Sequence, residues 1–134
     1  MKHGRQIVSS GSPLEPQIGF SRAVRVGGYV AVAGTAPIGD DGSTVAPGSV
    51  YGQTVRCLDI AERALQEAGA SVEDVVRTRI MLTDVTQWKE AARAHGERFA
   101  AVRPVCTFVE VSRFIEADWL VEVEVDAVLD ADSH

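Results

Sequence analysis

Three carboxylates, Glu122, Glu124 and Asp126, stand two residues apart in a run whose intervening positions are Val121, Val123, Val125 and Ala127. Residues two apart in a strand share a face, so this spacing aligns three acids on one side and the apolar residues on the other. If the acidic face is withdrawn from water, like-charge repulsion and lost hydration raise a carboxylate pKa, the condition for general-base work near neutral pH. A solvated face of an antiparallel sheet carries the same pattern with no chemistry attached.

A second candidate is Cys106, in an apolar run over 104–111 that also places Phe108 and Glu110 on the parity of the thiol. A thiol becomes a nucleophile when a histidine, a cation or a helix N-terminus lowers its pKa. Arg77 and Arg79 are candidate cations, and no histidine is evident beside it; the alternative is a packed, inert thiol. His3, His95 and His134 fall in no HExxH or other metal-ligand spacing, so all three read as non-catalytic and no metal is expected. Cys57 lies 49 positions before Cys106 with no close Cys or His partner, which removes zinc-ribbon and CxxC redox readings. Gly27-Gly28 and Gly34 make neither a GxGxxG nor a Walker loop, so no nucleotide cofactor is implied.

The chain of 134 residues is 46% hydrophobic and 24% charged, figures that describe one globular domain able to build a core without staples. Thirteen Lys and Arg against 19 Asp and Glu give a formal charge of −6 with no basic stripe, which disfavours a nucleic-acid partner. No apolar run is long enough for a membrane span, and the first residues lead into a polar stretch rather than a signal-peptide core. A cytoplasmic protein with two free thiols is the resulting expectation.

The elements that must position these side chains follow from local pattern. A short strand over 5–8 precedes a Ser-, Gly- and Pro-rich loop over 9–19. Strands over 20–26 and 29–35 flank Gly27-Gly28 and predict a hairpin. A loop over 36–49 leads to a helix over 50–68, with Val50, Leu58, Ala61 and Leu65 on one stripe and Gly69 at its end. A turn at 71–74, a strand over 75–82, a second helix over about 86–101 and strands over 104–111 and 119–129 complete the order β, ββ, α, β, α, ββ. This predicts an α+β domain with both helices on one face of the sheet. The uncovered face is expected to carry Arg77, Arg79, Glu110, Glu122 and Glu124, with Cys106 and Phe108 beside them. It reads either as a wet surface or as an oligomer interface with a polar cleft.

Four stretches stand out along 11–128: Gly19-Phe20-Ser21-Arg22-Ala23-Val24 with Val32-Ala33-Gly34-Thr35-Ala36-Pro37; Gln53-Thr54 with Leu65-Gln66-Glu67-Ala68-Gly69-Ala70; Val75-Val76-Arg77-Thr78, Leu82-Thr83-Asp84, Phe99 and Arg103-Pro104; and Val109-Glu110-Val111 followed by Leu120-Val121-Glu122-Val123-Glu124. Together they resemble the RidA (YjgF-type, reactive-intermediate deaminase) family. The resemblance implies a chorismate-mutase-like single domain assembled as a homotrimer, with small-molecule clefts between adjacent subunits. It also implies hydrolysis of enamines and imines, such as 2-aminoacrylate, to 2-oxo acids and ammonia, without metal or cofactor.

Through that resemblance Glu122 matches the acid that positions the attacking water, and Cys106 stands where the deaminases have the arginine that grips a substrate carboxylate. Phe20 replaces a tyrosine, Ala33 a serine and Ala92 an asparagine, with Gly34 and Phe108 completing the lining. A thiol cannot supply two parallel N–H donors, so a substrate other than 2-aminoacrylate is implied. Two functions follow: an imine or enamine hydrolase using Glu122, with Cys106 as nucleophile or pocket wall, or a trimer that holds a small metabolite without turnover. The endoribonuclease or translation-inhibitor role sometimes attached to the family is disfavoured by the charge.

Overall fold

The computed structural model describes residues 4–130, which leaves His3 and His134 outside the described residues. One six-stranded sheet runs in the order β1 (Arg5–Val8), β2 (Ala23–Val26), β3 (Tyr29–Thr35), β6 (Val121–Val128), β4 (Val75–Leu82) and β5 (Val105–Glu110). All neighbours are antiparallel except β4 and β5, which are parallel and joined through a helical crossover. Helices α2 (Val50–Glu67) and α3 (Trp88–Phe99) pack against each other, and α2 lies across β3 and β6.

Local chemistry explains the framework. At the hairpin Gly27 takes φ 60°, and a Cβ on Gly28 would meet the Leu129 carbonyl oxygen at 2.6 Å, so both glycines are required. Ser49 caps α2 by accepting from the Gly52 N–H at 3.0 Å, and Gly69, at φ 87°, lets the chain leave the helix. The apolar stripe of α2 (Cys57, Leu58, Ala61, Ala64, Leu65) buries against Val30, Val32, Val121, Val123 and Val125, and the partners β4 and α3 add Ile80, Leu82 and Phe99.

Two differences from the sequence reading concern backbone. The loop over 9–19 contains a short helix, α1 (Leu14–Ile18), closed by Gly19 at φ 88°. It forms because the buried Glu15 accepts hydrogen bonds from the Ser9 and Ser10 side chains and the Ser10 N–H, a local fold that periodicity over so few residues does not reveal. β2 begins at Ala23, so Phe20 lies before the strand instead of in it.

A third difference changes the site. Cys106, Phe108 and Glu110 are in register with Thr78, Ile80 and Leu82, whose side chains are buried beneath the helices. They therefore occupy the helix-covered face, not the open face that carries Glu122 and Glu124, and Val105, Thr107 and Val109 take their place there. Alternation in β5 separates two faces correctly; which is covered depends on its parallel register with β4, and a one-residue shift exchanges them.

Candidate functional site

On the open face, β6 pairs Asp126 with Arg77, Glu124 with Arg79 and Glu122 with Met81 of β4. The register distributes charge unevenly along the ladder. Arg79 bonds Glu124, Arg77 lies 3.8 Å from Asp126, and the Tyr29 hydroxyl donates to Asp126 at 3.1 Å. Among the described residues Glu122 has no such ion pair. Arg77 and Arg79 are thus tied to the ladder acids and are not free to serve Cys106 as counter-ions.

Glu122 is held by backbone on both sides. Gln53, fully buried on α2, donates to the Asp118 carbonyl at 2.9 Å and accepts from the Leu120 N–H at 2.8 Å, fixing the chain as it enters β6. β3 breaks register with β6 between Val32 and Thr35, the stretch containing Ala33 and Gly34, and a Cβ on Gly34 would stand 2.9 Å from Glu122 Oε1. Glycine leaves the space that this carboxylate fills. Burial pushes the Glu122 carboxyl up, Arg22 pulls it down and Glu124 pushes it up again; the net direction is upward.

Arg22, quoted above only as part of a motif, joins this half. Its Nη2 donates to the Gly34 carbonyl at 2.6 Å, its Cζ lies 5.9 Å from the Phe20 ring centroid, and its Nε is buried without a hydrogen-bond partner. Burial lowers the Arg22 pKa, against the attraction of Glu15 and Glu122. Phe20, Gly34 and Glu122 therefore lie around a guanidinium that spacing alone does not single out, and the Ala33 N–H donates to the Arg22 carbonyl at 2.9 Å. The clue available in the sequence is an arginine just before β2, with a second, Arg25, inside that strand.

The other half lies at the edge of the sheet beneath α3. Thr78 Oγ1 is 2.8 Å from His95 Nε2, and Cys106 is the β5 partner of Thr78. Phe108 meets Trp88 edge-on with centroids 5.9 Å apart, and Glu110 accepts the Val85 N–H at 3.0 Å. Ala92 sits one turn before His95 on α3. A histidine therefore stands on the same side as Cys106, which the spacing of histidines in the chain did not disclose. Burial lowers the His95 pKa, favouring the neutral ring. Cys106 is exposed, whereas Cys57 is fully buried with its thiol pushed far up by desolvation and is inert.

The structure thus sets Phe20, Ala33, Gly34 and Glu122 around Arg22, and places Cys106 and Phe108 on β5 beside α3, which carries Ala92, but keeps Glu122 and the two β5 residues on opposite sides of one sheet. A cavity of about 710 Å³ opens between the 9–13 loop and α2 and shares Arg22 with the first of these groups; Ser9, Ser10 and Arg56 also line it, and neither Glu122 nor Cys106 does.

With this geometry the comparisons agree on a class. The family described as endoribonuclease L-PSP, the YjgF/RidA family, matches residues 10–129, and the chain belongs to it. Among relatives, an uncharacterized protein of Streptomyces coelicolor, SCO2049, is 42% identical over 90% of this chain and 89% of its own. The RutC family protein PYRAB12510 of Pyrococcus abyssi is 34% identical over 84% and 85%. The crystal structure of Rv2704 from Mycobacterium tuberculosis, described as a member of the YjgF/YER057c/UK114 family, superposes with a TM-score of 0.84 at 46% identity, covering 93% of this chain and 99% of that one.

Proposed function

We propose that the chain is a hydrolase of small imines or enamines, acting in a cleft that two copies build together within a homotrimer. The observation that carries this reading is the opposition of faces: Glu122 lies on the open face and Cys106 with Phe108 on the covered one, so only a second copy brings both halves to one ligand. The open face also leaves Ile7, Val26, Tyr29, Val105 and Val128 about half exposed, apolar area of the kind a partner copy covers.

In the proposed reaction Glu122 takes a proton from water as the oxygen bonds to the imine carbon and the C=N electron pair moves to nitrogen. Glu122 passes that proton to the nitrogen, which gives the neutral carbinolamine, then takes the hydroxyl proton as the C=O bond forms and hands it to the amine as the C–N bond breaks, so that a ketone and ammonia leave and the carboxylate is restored. Desolvation of Glu122 favours this exchange because it brings the carboxyl nearer to neutral pH. Cys106 is a wall of the cleft, and because it cannot form a bidentate carboxylate contact the preferred substrate differs from 2-aminoacrylate.

The competing reading, binding without turnover, draws on the apolar lining given by Phe20, Ala33 and Ala92. The endoribonuclease label of the family is not carried over, since Arg77 and Arg79 are tied to Asp126 and Glu124 and the net charge is −6. The test supplies imines generated in situ by an amino-acid oxidase from a panel of amino acids and follows ketone and ammonia release. Acceleration that disappears in Glu122→Gln supports hydrolysis. Ligand binding without release supports the competing reading, and a stable monomer by sedimentation at micromolar concentration refutes the shared cleft.

A further inference from the structure

We infer that Arg22 is a positioning residue for Glu122, clamping through Gly34 the carboxylate on which the proposed hydrolysis depends. The inference rests on that proposal for what the carboxylate does, but not for how it is held.

The geometry centres on one glycine. Arg22 Nη2 grips the Gly34 carbonyl at 2.6 Å, while Glu122 Oε1 approaches to 2.9 Å from the position that a Cβ on Gly34 would take. A guanidinium and a carboxylate thus bear on the same residue, where the ladder of β3 and β6 is already interrupted. The Arg22 Nε–H is buried and unpartnered, so the cation keeps donor capacity that surrounding groups do not absorb.

The charges around the pair leave few alternatives. Glu124 faces Glu122 along β6 but is engaged by Arg79, Met81 opposite on β4 is uncharged, and Cys57 from α2 is a neutral buried thiol. Glu15 on α1 is the other acid in the field of Arg22, and its oxygens are already occupied by Ser9 and Ser10. Arg22 is accordingly the cation that opposes the desolvation of Glu122 and keeps an ionised, water-activating form accessible.

The experiment is a carboxyl-carbon NMR titration of Glu122 in the full-length protein, read together with the pH profile of turnover. Arg22→Gln should raise the Glu122 midpoint by roughly one pH unit, move the acid limb of kcat upward by the same amount and leave KM within about threefold. Arg22→Lys, which keeps the charge, should restore most of the shift. If Arg22→Gln does not fold, Glu15→Gln supplies the reading: removing the competing acid should lower the midpoint.

An unmoved midpoint in a folded Arg22→Gln protein, or in Glu15→Gln, overturns the inference. So does a rise in KM with an unmoved midpoint, which makes Arg22 a substrate anchor instead. A wild-type chain that shows the NMR shift but no turnover refutes the hydrolysis and leaves the role of Arg22 standing.

Discussion

The two halves of the candidate site are built on opposite principles. Around Glu122 an interrupted strand pair, a glycine, a half-buried arginine and a buried glutamine hold the backbone that surrounds one carboxylate. Around Cys106 the sheet simply ends: β5 is an edge strand, its thiol is exposed, and the support comes from α3 through Trp88 on Phe108 and His95 on Thr78. The first half holds a half-buried charge, and the second offers shape. Under the proposed function the contrast gives the chemistry to Glu122 and the contact surface to Cys106.

The sharpest way to break that contrast is to remove the acid. Glu122→Gln should reduce kcat by about 10²- to 10⁴-fold while the circular dichroism spectrum stays native. Gly34→Ala should cost roughly 10-fold or more in kcat, because its Cβ would meet Glu122 Oε1 at 2.9 Å and the mobile end of that side chain must yield. Steady-state kinetics of both variants check the order.

Support for the acid half from a distance is read as stability. Gln53→Leu leaves the Asp118 carbonyl and the Leu120 N–H without their partner and should destabilise the fold by about 1–3 kcal/mol in urea denaturation.

The sign of the pH dependence separates two carboxylates. Glu122 has a raised folded pKa, so the folded chain binds the proton more tightly; its contribution is favourable below the unfolded carboxylate value and is lost as pH rises through the folded one. Glu15 is the reverse. Burial raises it, but the bonds from Ser10 and Ser9 and the charge of Arg22 outweigh that, so its contribution is present above the unfolded value and lost on acidification through the folded one. Glu122→Gln should therefore gain stability relative to wild type on going from pH 4 to pH 7, whereas Glu15→Gln should lose it. Urea midpoints at both pH values measure this.

The smallest effect is expected in the other half. Cys106→Ser should change kcat by less than about threefold if the thiol is only a wall. Iodoacetamide followed by mass spectrometry should label Cys106 and leave the fully buried Cys57 unmodified in the native protein, in keeping with the exposure of each. A large loss of turnover in Cys106→Ser would transfer chemistry to the half that holds His95.

How much of this was legible in the sequence follows from the range of each interaction. The hairpin at Gly27-Gly28, the two long helices and the alternation of β6 are local patterns, and the structure has them within a few residues. The family resemblance implies Glu122 and the lining positions Phe20, Ala33, Gly34, Ala92 and Phe108 as site residues, and the proposed function takes them up as such. What spacing did not contain is the facing of an edge strand, since the pattern of β5 is compatible with either side until its parallel partner is known. Spacing singles out neither Arg22 nor His95, which reads as non-catalytic, for a related reason: one acquires its interest from a glycine 12 residues away and the other from a threonine 17 residues before it, contacts set by tertiary structure. Glu15, in a segment read as plain loop, organises a helical turn through two serine side chains.

The central claim, a cleft shared between copies, is tested most directly by mixing two damaged chains. Glu122→Gln disables the acid half, and Ala92→Trp obstructs the α3–β5 half, so neither assembly alone should turn over an imine. Refolded together from an equimolar mixture, they should regain activity of about one quarter of wild type, because in a symmetric assembly about that fraction of clefts receives both intact halves. Activity that stays at the level of the separate variants in a verified mixed oligomer would place both halves in one chain and contradict the account.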